Sequence, residues 1–525
     1  PPEDVNLFKN GAKSSSVAIP PRLVLFIGKP DSRARGPTLP ETDKARSFTA
    51  VMGLLVALIT FAYYAWSNDR VLGDADLWWH VKTGQDILIN RAVPWVDSYS
   101  YTYAGQPWIA KEWLSQVFLA MAYNLWGWNG VLLESLFAAV LAFVLLYNHL
   151  AQSLRPIAAA IVVIVVAIAL TPVVIARPHI FTFALVVVMT SKLFGAAETQ
   201  TPPPWWLLAL IVLWVNLHGS FTFAFVIAGF AFLDAMEKNR LKDRGLVLRW
   251  ILFLALCPVV TLINPYGIQP FVIGLNLMSG IQAMTLITEW QPFNAQVDPI
   301  DEAGILLILG TLLCTRPKLG IFRIFFVLFT LHMMLMHIRF IYVFFLSIPV
   351  IASWAVAKAN PSLSWDTWAA MPRDSLEEGA AKNRNAVLVA GLVLALAGFS
   401  AAAIFKPFEP PPRRTIAAAF AYIKEHNLTG PVFNSYNMGG PLILNGFKTY
   451  IDGRADQMFQ GTFLQDYVNT ADPADTSILQ RILDTNKVTW TIFPSFDSRN
   501  QALAKLPGWK QTFTDAYATI YERQP

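Results

Sequence analysis

FTAVMGLLVALITFAYYAW, residues 48–66, carries no charged side chain and is followed by a polar, aromatic segment, GDADLWWH at 73–80. A helix of that length and composition spans the hydrocarbon core of a bilayer. Working outward from it, further apolar runs lie near 130–149, 157–175, 180–196, 204–217, 219–236, 250–264, 302–315, 320–336, 339–356 and 386–405, which predicts about eleven transmembrane helices. Residues 112–127 are also apolar, but they are short and open beside Lys111 and Glu112, as in a helix lying at the membrane surface.

Composition demands the same solvent. Of 525 residues, 55% are hydrophobic and only 14% charged, more apolar surface than one water-soluble core can bury. The 36 Phe and 18 Trp suit lipid-facing surface and headgroup anchoring. A net charge of +5 reflects basic loops, and no basic run is interleaved with aromatics, so nucleic acid is set aside as a partner. Cys257 and Cys314 sit in apolar segments without paired spacing and read as small core residues.

Loop charge tests the count independently of hydropathy. Residues 1–47 are polar, rich in Pro and Ser and basic, and read as a cytoplasmic N-terminal tail. With eleven crossings, the basic loop at 237–249 and the loops holding Arg316, Lys318 and Arg323, and Lys358, Lys382 and Arg384, fall on the same inner side. The opposite side then receives GDADLWWH, ARPH (176–179), NLHGS (216–220), NPYG (264–267), TEWQPF (288–293) and MHIRF (336–340). Ionisable groups at the ends of apolar helices are costly unless they line a wet cavity, so their shared side predicts one outward-facing site.

After Pro407–Pro412 the composition becomes that of a soluble domain. The pattern predicts a helix at 413–426, a strand at 431–436, a Gly-Gly turn at 439–440, a strand at 448–454, a helix at 475–485, a strand at 488–493, a helix at 498–505 and two short strands around Trp509 and Ile520. This alternation fits a small three-layer α/β domain. The predicted organisation is a tail (1–47), a transmembrane domain (48–405) with a large outer loop (67–129), and an outer α/β domain (406–525).

The outer loop opens with Asp74 and Asp76, two carboxylates flanking one Ala. Such a pair can share a divalent cation, or divide the tasks of base and orienting group, or simply cap the following helix. No P-loop and no Gly-rich dinucleotide turn is present, so nothing points to a soluble nucleotide donor.

The stretch GDADLWWHVKTGQDILINRAVPWVDSYSYTYAGQPWIAKEWL resembles the first periplasmic loop of bacterial GT-C superfamily membrane glycosyltransferases, with support from Arg-Pro-His at 177–179, Asn-Leu-His-Gly at 216–219 and Asp-Gly-Arg at 452–454. The resemblance implies a polyprenyl-phosphate-dependent, mannosyltransferase-like enzyme of the bacterial inner membrane. It would move a sugar from a polyprenyl-phosphate donor to a glycan, lipid or protein acceptor on the periplasmic side. It also implies catalysis by Asp74 or Asp76, and a metal, if one is used, of Mg²⁺, Mn²⁺ or Ca²⁺ on these carboxylates with help from His80.

Arg177, His179, His218, His337 and Arg339 are candidates for the donor phosphate, because Arg presents a fork of donors and His⁺ a compact charge. Each equally fits snorkelling to headgroups or capping a helix. Glu112 and Glu289 fit supporting carboxylates or ordinary loop charges, and Arg454 fits a structural ion pair more readily than catalysis. Two rival functions stand beside the enzyme: a lipid or sugar transporter, against which no inverted repeat is visible, and a non-catalytic subunit that binds a membrane complex through its tail.

Overall fold

The computed structural model describes residues 41–239, 242–278, 288–371 and 375–524. The tail predicted at 1–47 lies, as far as residue 40, outside the described residues. A helix is found at every one of the apolar runs. Among the described residues six are long and apolar enough to cross a membrane, around 43–66, 113–150, 178–199, 219–239, 338–359 and 384–405; Pro156–Ala169, Leu207–Leu217 and Ile321–Met336 are shorter apolar helices. Ile341–Ala359 runs through the middle of the bundle, with most of its residues buried, whereas Arg384–Phe405 lies at the periphery with only Phe399 and Ala403 buried. Cys257 is buried, as expected, but Cys314 is exposed on its helix rather than in a core.

The segment read as surface-lying, 112–127, is continuous in helix with the crossing after it but set off by a sharp bend. Trp113–Leu150 breaks at Trp126 and Gly127, where Gly127 adopts φ 56°, ψ −144°, a backbone open to Gly alone. The fold back is tight: a Cβ on Gly130 would lie 2.1 Å from the Ala122 carbonyl oxygen. The first half of this helix then packs on Leu77–Asn90, and Gly84 permits the approach, since a Cβ there would lie 1.9 Å from the Gln116 carbonyl oxygen.

The C-terminal sheet has four strands, β1 (Val432–Asn434), β2 (Trp490–Phe493), β3 (Trp509–Thr514) and β4 (Thr519–Arg523), in the order β1-β2-β4-β3. β1 and β2 are parallel, and β4 runs antiparallel to both β2 and β3. Side-chain alternation gives the sheet two apolar faces. Val432, Trp490, Ile492 and Ile520 pack with Ile416, Ala419 and Ile423 of the preceding helical segment. Phe433, Phe493 and Tyr521 pack with Leu479, Leu483 and Leu503. The three-layer expectation holds in this respect.

Two local expectations do not hold. Gly439 and Gly440 begin the short helix Gly439–Leu444 instead of making a turn. Residues 448–454 do not join the sheet; Thr449 bridges Ser100 in parallel fashion, with Tyr101 N–H donating to the Thr449 carbonyl and Thr449 N–H to that of Tyr99 (both 3.1 Å). Extended backbone needs a partner edge, and here the loop at 67–129 supplies it. Trp79, Tyr99 and Trp108 of that loop accordingly share one apolar core with Phe433, Tyr450 and Phe459.

Candidate active site

Asp74 and Asp76 stand where the loop after the first helix enters Leu77–Asn90. Asp74 Oδ1 accepts the Asp76 backbone N–H at 2.8 Å, a local turn that sets the two carboxylates apart. Asp76 occupies the N-cap position, yet its side chain makes no capping hydrogen bond. The capping reading therefore fails for Asp76, whose carboxylate turns to Arg177.

Arg177 precedes Pro178 and is held extended, φ −135°, ψ 159°, as a residue before proline is required to be. The preceding Ala176 donates its N–H to the Val71 carbonyl at 2.8 Å, which ties this segment to the acidic loop. The guanidinium meets three carboxylates from two distant stretches of chain: Nη2 to Asp76 Oδ2 at 2.5 Å, Nε to Asp74 Oδ1 at 3.5 Å and Nη1 to Glu289 Oε1 at 3.1 Å.

Three carboxylates around one guanidinium cannot be electrostatically equivalent. Burial pushes the Asp76 carboxyl up to about 7; Arg177 opposes the rise and the charges of Asp74 and Glu289 reinforce it. Burial acts in the same direction on Glu289, but Arg177 and then Arg339 outweigh it and hold that group well below the usual carboxylate range. Such a divergence separates a group that exchanges protons near neutrality from one that stays ionised.

Arg339 acts on the charge of Glu289, and His337 and Arg339 both pack on the neighbouring Trp290. His337 Nδ1 donates to the Trp290 carbonyl at 2.7 Å, Ile338 N–H donates to the Gln291 carbonyl at 3.2 Å, and the Arg339 guanidinium lies 4.2 Å from the centre of the Trp290 ring. His179 Nε2 is spent on the Val173 carbonyl at 2.7 Å. Each of these two histidines holds a backbone carbonyl.

Glu112 forms a second centre with His80 and His218. His218 Nδ1 accepts the Ser220 N–H at 3.1 Å, which leaves the hydrogen on Nε2, 3.3 Å from Glu112 Oε1. His80 Nδ1 is 3.0 Å from Gln116 Nε2, and its own Nε2 faces Glu112 Oε2 at 3.9 Å. Burial, with the nearby Arg177 and Lys111 charges, drives His80 well below its ordinary value, so the ring is neutral. Burial raises Glu112. The two centres sense each other's charge, since Arg177 acts on both His80 and Glu112.

Of the ten predicted site residues, Asp74, Asp76, Arg177 and Glu289 thus form one cluster and His80, Glu112 and His218 a second, Arg339 acts on Glu289, and His179 and His337 are held on backbone carbonyls. Several participants were not foreseen: Lys111 pairs with Asp456, Arg414 Nε donates to the Gly73 carbonyl at 2.8 Å, and half-buried Tyr436 senses the charge of Asp76. Lys111 was legible in principle, being next to Glu112. Among the described residues no three His, Cys, Asp or Glu side chains form a group able to hold a metal ion. The Arg177 guanidinium stands where a cation shared by Asp74 and Asp76 would, so these residues as arranged do not fit one.

Arg454 makes the structural ion pairs expected of it, with Asp452 and Asp97. Nε and Nη2 grip Asp452 at 2.7 and 2.8 Å, and Nη1 reaches Asp97 of the outer loop at 2.6 Å, between the rings of Tyr99 and Trp108. All three charged groups are fully buried. Replacing Arg454 by Ala leaves two buried carboxylates unpaired and is expected to destabilise the protein by about 3–5 kcal/mol, read as a lowered melting temperature in lipid or detergent.

No protein-family model matches the chain, and no curated protein matches it. Among solved structures, the chain is similar to the oligosaccharyltransferase of Archaeoglobus fulgidus in its apo form, with a TM-score of 0.52 and 12% identity over 85% of this chain and 69% of that one. ArnT from Cupriavidus metallidurans bound to undecaprenyl phosphate aligns with a TM-score of 0.47 and 12% identity over 88% of this chain and 97% of that one. At 12% identity the first likeness shows architecture alone: the chain shares the overall fold of that oligosaccharyltransferase, and its described residues include six helices long and apolar enough to cross a membrane.

Proposed function

We propose that this protein is a glycosyltransferase that transfers a sugar from a polyprenyl-phosphate donor to an acceptor on the periplasmic side of a bacterial inner membrane. In this reading the chain crosses eleven times, with residues 1–47 cytoplasmic, the loop 67–129 and the domain 406–525 periplasmic, and 48–405 forming the membrane domain. The observation that carries it is the meeting of Asp74, Asp76 and Glu289 on Arg177, where one carboxylate is poised near neutrality beside a guanidinium.

Asp76 is the base. Ionised, it takes the proton of the acceptor hydroxyl while that oxygen bonds to the anomeric carbon and the bond from this carbon to the phosphate oxygen breaks. The departing polyprenyl phosphate keeps the electron pair, and its charge is met by Arg177, drawn from its carboxylates, with Arg339 and Lys111 adding positive potential. Asp74 holds the turn that presents Asp76, and Glu289 stays ionised to orient Arg177. No step is assigned to a divalent cation.

One observation favours a non-catalytic subunit instead. Asp76 is only 14% exposed, with Oδ2 on Arg177, so the resting centre is closed. The readings separate on incubating the purified protein in liposomes with radiolabelled polyprenyl-phosphate sugars and membrane extract. The enzyme moves label to an acceptor; transfer from no donor would leave the scaffold.

If Asp76 must be ionised to act, the active form accumulates above its folded-state value and is lost as pH falls through it. We expect kcat/KM to rise tenfold per pH unit below about 7 and to level off above it. A profile flat from pH 5 to 8 would remove Asp76 from this role.

A further inference from the structure

We infer that Gly440 and Gly453 of the C-terminal domain are positioning residues for the acidic loop, clamping Ala75 and Asp76 between them and fixing where the Asp76 carboxylate stands. The inference deepens the proposed transferase reading and, for its catalytic consequence, rests on it.

A Cβ on Gly453 would lie 1.7 Å from Asp76 Oδ1 and 2.8 Å from Trp79 Nε1. A Cβ on Gly440 would lie 2.2 Å from the Ala75 carbonyl oxygen and 3.3 Å from Trp78 Cβ. Neither position has a positive φ, so Ala is conformationally admissible at both and glycine is required for space alone. The two contacts fall on adjacent residues of the loop. With Oδ2 held by Arg177, the Gly453 backbone bounds the carboxylate on its other oxygen.

The clamp has little room to yield. Gly439 sits on Asp452, where a Cβ would be 2.5 Å from Asp452 Cβ, so the two glycine-bearing segments brace each other. Asn434 of β1 donates Nδ2–H to the Ile451 carbonyl and accepts the Tyr450 N–H, both at 2.8 Å. Arg454, the next residue after Gly453, is anchored on Asp452 and Asp97. The loop is fixed in turn by Arg414 on the Gly73 carbonyl. A methyl group on Gly453 must therefore turn or push the Asp76 carboxylate, and a displacement near 1 Å at a reacting group removes about 100-fold of rate.

The test uses the full chain in lipid and has two arms. The first needs no substrate. Gly453→Ala and Asp76→Ala are made singly and together, and their melting temperatures are compared. Direct contact predicts that the drop caused by Gly453→Ala shrinks by at least half when the Asp76 carboxylate is gone, or that a Gly453→Ala protein unable to fold is rescued by Asp76→Ala. Equal drops in both backgrounds, or failure to fold in both, would overturn the clamp.

The second arm measures transfer with whichever radiolabelled polyprenyl-phosphate sugar the wild type uses. Gly453→Ala is expected to lower kcat about 100-fold with KM for the donor held within about threefold, and Gly229→Ala, whose Cβ meets open space, to change neither. An unchanged kcat would overturn the positioning role. If the wild type transfers nothing, the transferase reading fails, and the melting comparison still decides whether the clamp exists.

Discussion

Replacing Asp76 by Asn lowers sugar transfer by about 10²–10⁴-fold, the range that general-base catalysis supplies, while the protein stays folded. Asn has the shape of Asp, so it fits between Arg177 and Gly453, and its amide oxygen can still accept from the guanidinium. It cannot take a proton from an acceptor hydroxyl. Stability should hold because the substitution removes a charge whose burial is unfavourable, a cost already visible in the upward push on its carboxyl. Asp74→Asn should lose less. Its amide oxygen can keep the bond from the Asp76 N–H, and the weaker 3.5 Å approach of Arg177 is the main loss. Steady-state transfer rates with parallel melting curves separate the two variants; comparable rates for Asp76→Asn and the wild type would remove Asp76 from the chemistry.

Arg177→Ala is expected to abolish transfer and to destabilise the protein by about 3–5 kcal/mol, because Asp74, Asp76 and Glu289 are left facing one another without a counter-charge. Arg177→Lys should recover part of the stability and little of the activity. An ammonium carries the charge but not the fork that meets three carboxylates in different directions, nor the paired donors suited to phosphate. Charge repulsion gives a further signature: the melting-temperature loss of Arg177→Ala should shrink when Glu289→Gln is added. A melting temperature for Arg177→Ala equal to that of the wild type would mean that the cluster is solvated and carries none of the electrostatic argument.

The apolar skeleton was legible because lipid imposes a coarse rule: long uncharged runs become helices, and a helix is found at each run located by hydropathy. The side-chain chemistry was legible only as membership. Asp74, Asp76, Arg177 and Glu289 could be picked out as polar groups at helix ends, but that one guanidinium would bind three of these carboxylates depends on contacts across 101 and 112 positions of sequence. The hardest part to read was the partnership between residues 67–129 and the C-terminal residues that pack on them. Asp97 meets Arg454 across 357 positions, and the strand expected at 448–454 takes its pairing from Ser100 instead of the sheet. Periodicity describes a segment's own faces and carries no information on which distant edge completes it. Glycine adds a further blind spot. The pair at 439–440 looks like a turn in sequence, whereas its role is to bring backbone against Ala75 and Asp452, a requirement set entirely by the neighbour.

The most direct test of the central claim is transfer of label by wild-type and Asp76→Asn proteins, reconstituted side by side in liposomes with a panel of radiolabelled polyprenyl-phosphate sugars and membrane extract. The account predicts that at least one donor yields labelled acceptor with the wild type, that the yield rises with pH through about 7, and that Asp76→Asn lowers it by about 10²–10⁴-fold in equally folded protein. Absence of transfer from every donor, or equal transfer by both proteins, would contradict it.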